Sequence, residues 1–368
     1  MSSRKVFAVD KTLAAITGIL VAAGMLIFLS ASFGLLAKEG LQFESALLTQ
    51  LVLGLGGGLL VGTAVLYIPF KAFRKYAHIL FGLGLLLTLA VFIPGIGLSA
   101  NGATRWLDLR FTTVQPVEFL KIGYVLFLAS WLAAGKGRAA SLYEGIVPFG
   151  VITALVGIAL LLQPDTDTFL IIAASGFAMM FAAGMRWRDL AIGACIGLLL
   201  VGLLIAARPY LLERVKTYLN PGRDPQGAGY QIQQSLIAVG SGELFGRGFG
   251  QSVQKFNYLP EARSDSIFAV YAEEFGFFGS ILLVLGFLGF AMRGFWVAAR
   301  TPDLFSGLTV VGLVTLIAAQ AFLNIAAMVG LAPVGGLPLV FVSHGGTALM
   351  LALVMVALIL SASRTVRR

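Results

Sequence analysis

Hydrophobic side chains run along this chain in long blocks that short polar stretches separate. A helix needs about 20 consecutive apolar residues to span the hydrocarbon core of a bilayer, and about ten blocks approach or exceed that length. Their approximate spans are 12–33, 46–69, 77–99, 117–134, 145–162, 168–185, 189–207, 276–298, 305–328 and 346–363. The pattern predicts an all-α polytopic membrane protein with about ten transmembrane helices in one integral membrane domain, residues 1–368.

The longest interruption of this pattern, residues 208–275, mixes charged side chains with short apolar turns. Such a segment is typical of interfacial or re-entrant helices that pack over a bundle, and not of a free linker. Function in compact proteins concentrates in loops of this kind. We therefore expect a large loop with interfacial helices between the seventh and eighth spans.

The composition excludes two broad classes of protein. Hydrophobic residues make up 58% of the chain and charged residues only 12%, whereas about 25% of the residues of a soluble domain are charged. An ordinary soluble enzyme is therefore excluded, and the 28 Phe residues exclude a disordered chain. The single cysteine, Cys195, leaves no internal disulfide and no cysteine-based metal cluster.

The net charge of +9 is sorted by side. An even number of spans puts both termini on one side, and most of the Lys and Arg residues, such as Lys71 and Arg74, fall there. The short loops of the other side carry only Lys38, Arg105 and Arg110. The positive-inside rule then predicts cytoplasmic termini and an extracytoplasmic 208–275 loop. The charge surplus is a topology signal, and nucleic acid is not expected as a partner.

Several common catalytic motifs are missing from the sequence. There is no His-Glu-x-x-His, no Walker sequence and no Gly-x-Ser-x-Gly, so zinc proteolysis, P-loop hydrolysis and the serine-hydrolase elbow have no support. Gly246, Gly248 and Gly250 match part of a phosphate-binding glycine pattern, but no strand precedes them. A flexible loop is the favoured interpretation of these glycines.

Ionisable residues at membrane level are costly and are candidates for function. Glu118 and Lys121 lie three positions apart on one helix, so an intramembrane ion pair is an equal alternative. Asp165 and Asp167 also fit helix caps, and a lone His344 also fits a purely structural role. The predicted outer side holds Arg105, Glu118, Lys121, Asp165, Asp167, Asp265, Glu273, Glu274 and His344.

Asp265 differs from these because it stands where a polar loop turns into an apolar helix, within residues 260–270. Partial dehydration of a carboxylate raises its proton affinity toward that of a useful general base. A helix-capping role is the alternative that spacing alone leaves open.

Four segments together resemble one protein family: residues 101–121, 163–168, 218–275 and 331–349. They are similar to the SEDS proteins, the family of FtsW, RodA and SpoVE, and with the helix count the resemblance covers nearly the whole chain. Residues 251–255 and 258–262 are more similar to the division members, FtsW, than to the elongation members, RodA.

The resemblance implies a peptidoglycan glycosyltransferase of the bacterial cytoplasmic membrane. Such an enzyme polymerises lipid II into β-1,4 glycan strands at the outer face and releases undecaprenyl pyrophosphate, here for septal synthesis in cell division. The implied partners are lipid II, membrane lipid, a class B penicillin-binding protein (a transpeptidase) and other divisome membrane proteins. An elongation polymerase, a lipid II flippase without chemistry and a scaffold remain alternatives.

By resemblance, Asp265 matches the family's essential acidic residue, and it is the expected general base. Basic residues are expected to hold the departing pyrophosphate; no cofactor is certain, although a divalent cation, Mg²⁺ or Mn²⁺, can assist. Where the family usually has His-Thr before this Asp and Tyr in the last loop, this chain has Arg263, Ser264 and His344. The substrate-binding candidates are Arg105, Glu118, Lys121, Arg214, Lys216, Arg247, Lys255, Arg263, Glu273, Ser343 and His344.

Overall fold

A computed structural model describes residues 9–36, 40–100, 103–110, 112–135, 137–223, 228–256 and 258–366. Within these residues the chain forms thirteen α-helices. They are α1 Lys11–Leu36, α2 Gly40–Leu48, α3 Gly57–Tyr67, α4 Phe70–Ala90, α5 Pro116–Leu132, α6 Val147–Leu162, α7 Thr166–Ala182, α8 Trp187–Ala207, α9 Pro209–Leu219, α10 Ala228–Ser241, α11 Ile267–Arg300, α12 Leu304–Met328 and α13 Gly346–Ser363.

The predicted helical membrane fold is confirmed. In the described part of the chain, eight helical stretches are long and apolar enough to cross a bilayer: Lys11–Gly34, Phe43–Tyr67, Phe70–Ala90, Leu142–Leu162, Trp187–Ala207, Ile267–Arg300, Leu304–Met328 and Gly346–Ser363. The two other predicted spans correspond to α5 and α7, which have 17 residues each. Every predicted span therefore corresponds to a helix.

The third predicted span, 77–99, has the wrong boundaries, because α4 begins at Phe70 and ends at Ala90. Pro94 and Gly95 end the helical path, and Gly95 has a φ of 85°. The apolar residues that follow enter a small antiparallel sheet, which the sequence pattern did not predict. Its order is β1-β2-β3, with β1 Gly97–Ala100, β2 Ala103–Asp108 and β3 Thr113–Val114.

The helices differ strongly in how much of their surface the bundle covers. Helix α5 lies against α4 and α12, while α12 also packs against α7 and α11. Helix α13 packs against α3. In contrast, no residue of α8 is buried. The polar side chains of α5 and α12 are therefore enclosed by protein.

The two ends of the bundle are chemically different. At one end, here called the terminal end, Asp10 N donates to Ser363 Oγ over 2.9 Å and Arg293 Nη2 lies 2.7 Å from Asp10 Oδ2. The opposite end, here called the loop end, holds the sheet, the turn at 163–165, α9, α10 and the segment 329–345. Residues 208–275 contain α9, α10 and the first nine residues of α11.

Helix α11 is broken at Gly276, where φ is 65° and ψ is −162°. The loop before it repairs the break: the backbone N of Arg247 donates to Glu273 O over 3.0 Å, and Phe277 N donates to Glu243 O over 2.9 Å. These bonds satisfy backbone groups that the break would leave unpaired. The segment 267–275 is thus fixed as a separate short helix immediately after Asp265.

Candidate active site

Asp265 lies in a tight turn, residues 261–266, that leads into α11. Glu261 O accepts the backbone N–H groups of Ser264 at 3.1 Å and Ser266 at 3.0 Å, which closes the turn. Gln231 of α10 donates from its Nε2 to Ser266 Oγ over 3.0 Å. The Asp265 side chain is half-buried. The turn is therefore held by its own backbone and by α10.

Three consecutive carbonyl groups of this turn each accept one hydrogen bond from the other side of the loop end. The donors are a main-chain amide, a hydroxyl and a side-chain amide. They are His344 N to Arg263 O at 2.9 Å, Ser343 Oγ to Ser264 O at 2.5 Å, and Asn324 Nδ2 to Asp265 O at 2.7 Å. The position of the Asp265 backbone is therefore set by α12 and by residues 329–345 between α12 and α13, here called the last loop.

The surroundings of Asp265 raise the pKa of its carboxyl to about 7. Burial is the largest cause, and the carboxylates of Glu261 and Asp167 raise the pKa further. The guanidinium groups of Arg105 and Arg214 act in the opposite direction. A carboxyl group that titrates near neutrality fits the task of a general base, because it exchanges a proton readily at the working pH.

Arg105 of β2 links the sheet to the turn between α6 and α7. Its Nε donates to Gln163 O over 3.2 Å, its Nη2 donates to Pro164 O, and its Nη1 lies 3.8 Å from Asp165 Oδ1. Burial raises the pKa of the Asp165 carboxyl. Most of the contacts of Arg105 are with neutral carbonyls.

Arg214 of α9 pairs with Asp167 of α7. Its Nη1 lies 2.9 Å from Oδ2 and 3.1 Å from Oδ1, and both side chains are partly exposed. Beside this pair, the hydroxyls of Thr166 and Tyr210 lie 2.9 Å apart. Helix α9 is thereby tied to the start of α7, and the pair borders Asp265.

Two adjacent glycines let the last loop approach these charges closely. A Cβ on Gly335 would lie 2.7 Å from Asp167 Oδ2, which is too close for a side chain. A Cβ on Gly336 would lie 3.4 Å from Arg105 Nη1 and 3.8 Å from Asp265 Oδ2. Gly336 therefore lies close to both the Asp265 carboxyl and the Arg105 guanidinium group.

The alternative that made Glu118 and Lys121 an ion pair agrees with the structure, since Lys121 Nζ lies 2.7 Å from the Glu118 carboxylate. Lys121 also donates to Gln320 Oε1 over 2.9 Å, and Gln320 Nε2 donates to Pro338 O over 2.9 Å. All of these side chains are buried. The pair supports the last loop from inside the bundle.

His344 and Ser343 face the same interior as this ion pair. Together with Glu118 and Lys121 they border a cavity of about 20 Å³, room for a single water molecule. The His344 ring stacks on Phe28 with 5.6 Å between centroids. Burial, with the charge of Arg263, lowers the pKa of His344 to about 4, so the ring is neutral at pH 7.

Four of the substrate-binding candidates form ion pairs or hydrogen bonds with residues outside the Asp265 cluster. Lys255 Nζ lies 2.7 Å from Glu274 Oε1, and this pair is buried. Glu273 accepts hydrogen bonds from Ser252 Oγ at 2.5 Å and Val253 N at 3.1 Å. The remaining two form ion pairs nearer the surface: Arg247 with Glu273 at 3.5 Å, and Lys216 with Glu213 at 2.8 Å.

The sequence pattern indicates only part of the Asp265 cluster. Asp165 and Asp167 are among its candidates, with helix capping as the alternative, whereas Gly335, Gly336 and Asn324 are not. Asn324 carries a usable signal, because it is a polar side chain inside an apolar helix. The glycines gave no such signal, because their closeness to Arg105 and Asp167 is visible only in three dimensions.

The described residues around Asp265 offer few side-chain ligands for a resident metal ion. Within the described residues, no three His, Cys, Asp or Glu side chains come together in a way that could hold one. Asp165 and Asp167 instead face Arg105 and Arg214. A divalent cation therefore stays a prediction, and it would need oxygen ligands from the substrate's phosphates.

Known proteins resemble this chain over nearly its whole length. The family model of the FtsW, RodA and SpoVE cell cycle proteins matches residues 10–368. The stage V sporulation protein E of Bacillus subtilis (strain 168) is 36% identical over 356 residues, 96% of this chain and 97% of the relative. A probable peptidoglycan glycosyltransferase FtsW of Nitrosomonas europaea is 36% identical over 346 residues, 93% of this chain and 89% of the relative.

Solved structures show the same architecture. One chain of a peptidoglycan synthase complex, described for its coordination of polymerization and crosslinking, superimposes with a TM-score of 0.80 at 29% identity and covers 97% of this chain and 98% of its own. The rod shape determining protein RodA of Thermus thermophilus gives a TM-score of 0.70 at 27% identity, with 98% of each chain covered.

Proposed function

This chain belongs to the FtsW, RodA and SpoVE family and is a peptidoglycan glycosyltransferase, and we propose that it polymerises lipid II into β-1,4 glycan strands with Asp265 as general base. The observation that carries this assignment of the base is the half-buried Asp265 carboxyl, whose pKa of about 7 is set by burial and by neighbouring charges. Its position beside Arg105 and Arg214 supplies the positive charge that a pyrophosphate leaving group needs.

The proposed reaction is a single displacement. The Asp265 carboxylate accepts the proton of the GlcNAc 4-hydroxyl of lipid II while that oxygen attacks the anomeric carbon of the lipid-linked strand. The bond from this carbon to the phosphate oxygen breaks, and undecaprenyl pyrophosphate leaves with the electron pair. Attack opposite the leaving group inverts the α-phosphate donor to a β link. No second carboxylic acid is needed, because pyrophosphate leaves as an anion.

Arg105 is the best placed cation for this leaving group. Its hydrogen bonds go to the neutral carbonyls of Gln163 and Pro164, and its Nη1 lies 3.8 Å from Asp165 Oδ1. Preorganised charge of this kind is often the largest catalytic contribution. Arg214 shares its charge with Asp167 and contributes less. A divalent cation bound by the substrate's phosphates can add to this charge.

We propose that the loop end faces outward and the terminal end faces the cytoplasm. Basic residues and tryptophans cluster at the terminal end, where Arg293 and Arg300 lie 3.8 and 4.2 Å from the Trp296 ring and Arg138 lies 5.0 Å from Trp131. Both residue types are enriched at this kind of interface. The polyprenyl tails gain free energy in lipid, so the substrates enter sideways between helices.

The proposed partner is a class B penicillin-binding protein, since a chain of similar fold comes from a synthase complex that couples polymerization to crosslinking. The proposed setting is septal synthesis within the divisome, because curated relatives are named FtsW. A fluorescent fusion that followed the side wall instead of the septum would favour the elongation role.

The deciding experiment is polymerisation of labelled lipid II by the purified full-length protein, alone and with its class B partner. We expect glycan strands from the parental protein and a loss of about 10²–10⁴ in rate for Asp265→Asn, the range of a general base. Asp189→Asn, at the terminal end, is the matched control. Parental activity in Asp265→Asn would refute the base assignment, and lipid II scrambling without strands would indicate a flippase.

A further inference from the structure

A polar side chain inside α12 controls the backbone on which Asp265 stands. Asn324 is 2% exposed and lies one helical turn from Gln320. Its Nδ2 donates to Asp265 O over 2.7 Å and to Leu337 O over 2.7 Å. Two carbonyl acceptors at this distance fix which end of the amide is the nitrogen, since an oxygen there would face two acceptors.

These two hydrogen bonds connect α12 to the Asp265 turn and to residues 335–337 of the last loop. Leu337 O belongs to the segment that begins with Gly335 and Gly336, which lies against Asp167, Arg105 and Asp265. The same amide thus fixes the positions of the Asp265 turn and of residues 335–337 relative to α12. Asn324 Oδ1 has no hydrogen-bond partner within the described residues. Burial of an unpartnered amide oxygen costs free energy, so packing alone does not account for this residue.

We propose that Asn324 is a positioning residue for the glycosyl transfer, which holds the Asp265 carboxyl at its depth and at its distance from Arg105. This inference rests on the proposed function, because it assumes that Asp265 is the base. Asn324 itself touches no reacting atom. Its effect should appear in the rate of the chemical step and in the titration of Asp265, with little change in substrate binding.

Loss of the Asn324 hydrogen bonds should lower the pKa of Asp265. The groups that act on Asp265 are Glu261 and Asp167, which raise its pKa, and Arg105 and Arg214, which lower it, while burial raises it most. Without the Asn324 anchor the turn can move toward water. Hydration favours the carboxylate, so the pKa falls toward the value of about 3.9 for an ordinary Asp.

The test compares the pH profile of lipid II polymerisation by the full-length protein with its partner, for the parental protein, Asn324→Leu and Asn324→Ala. Both variants remove the two donated hydrogen bonds without adding a charge near Asp265, and the second also adds no volume. Thr315→Val is the matched control, since the Thr315 hydroxyl donates to Val311 O within α12.

We expect kcat to fall at least about tenfold with KM changed less than twofold, and the acid limb to move down by about one pH unit, for either variant that keeps the parental thermal transition. Parental kcat, or a lower kcat with an unshifted acid limb, would overturn the inference. If the parental protein made no strands, the proposed function itself would fail, which is a distinct outcome.

Discussion

The Ser343 hydroxyl donates a 2.5 Å hydrogen bond to the carbonyl O of Ser264, the residue before Asp265. Ser343 Oγ itself accepts the backbone N–H of Leu339 over 2.8 Å. Ser343 therefore connects the last loop to the Asp265 turn, and its hydroxyl both donates and accepts a hydrogen bond. This arrangement separates two roles for Ser343, substrate contact and support of the turn.

Replacement of Ser343 by Ala should lower kcat of polymerisation about tenfold, because the turn loses a buried hydrogen bond worth about 1 kcal/mol and its carbonyl loses its partner. KM for lipid II should stay within about twofold of the parental value if support of the turn is the main role. Ser32→Ala is the control, since that hydroxyl donates to Phe28 O of its own helix. A large rise in KM with unchanged kcat would instead assign Ser343 to substrate binding.

Glu261 gives a prediction about pH. The parental rate should rise through an acid limb near pH 7, because Asp265 must be deprotonated to act as a base and its pKa is about 7. The Glu261 carboxylate raises this pKa, so Glu261→Gln should move the limb to lower pH. The maximal rate at high pH should change little. Glu243→Gln, an exposed change at the same end, should leave the limb in place, and an equal shift in both variants would contradict the assignment.

Replacement of Arg105 should shift the acid limb in the direction opposite to that of Glu261→Gln. Its charge lowers the pKa of Asp265, so Arg105→Leu should move the acid limb to higher pH. The maximal rate should also fall by about 10²–10³, the usual effect of losing one preorganised stabilising group. Rate profiles of Arg105→Leu and Arg110→Gln, the latter at an exposed position after β2, would show this. A limb that moved down in Arg105→Leu would refute the electrostatic account of the site.

The helices were predictable because the thickness of the bilayer sets the length of an apolar block. The three-stranded sheet was not, because strands of two to six residues are too short to show a periodic pattern. Helix α4 was misplaced because Lys71, Arg74 and Lys75 lie within its first turns, where the pattern suggested a loop. Long basic side chains can extend from a helix end to water, so their charge does not stop the helix.

The site was predictable only in part. The place of Asp265 between a polar loop and an apolar helix indicated a dehydrated carboxyl, and its raised pKa agrees with that reasoning. The sequence predicts Lys255 as a cation near the substrate, but Lys255 forms a buried ion pair with Glu274. Asn324 lies 59 residues from Asp265 in sequence, and no local pattern links the two. Pairings of this kind require the fold.

The buried pair of Lys255 and Glu274 yields a prediction about stability. Lys255→Met should lower the free energy of unfolding by about 3–5 kcal/mol, because it leaves the Glu274 charge buried without its cation, with the Ser30 hydroxyl and the Ser252 N–H as its remaining partners among the described residues. The double variant Lys255→Met/Glu274→Gln should recover much of this loss. Thermal unfolding of the purified variants measures the effect. If the double variant were less stable than the single one, the ion-pair explanation would be wrong.

Gly276 tests whether the break in α11 positions the catalytic turn. A Cβ at its φ of 65° would be strained, at a cost of about 1–3 kcal/mol, and it would overlap the backbone N of Gly246. Gly276→Ala should therefore displace the 267–275 segment from the 243–248 loop and lower both the unfolding temperature and the rate of polymerisation.

The control, Gly289→Ala, lies in the regular part of the same helix, where the added Cβ would lie 3.9 Å from Ile16 Cδ1, an ordinary contact. That variant should be as stable as the parent or slightly more so, because Ala favours a helix over Gly by up to about 1 kcal/mol. Equal behaviour of the two variants would mean that the break is a tolerated irregularity, and the hydrogen bonds between the loop and α11 would then have no part in holding Asp265.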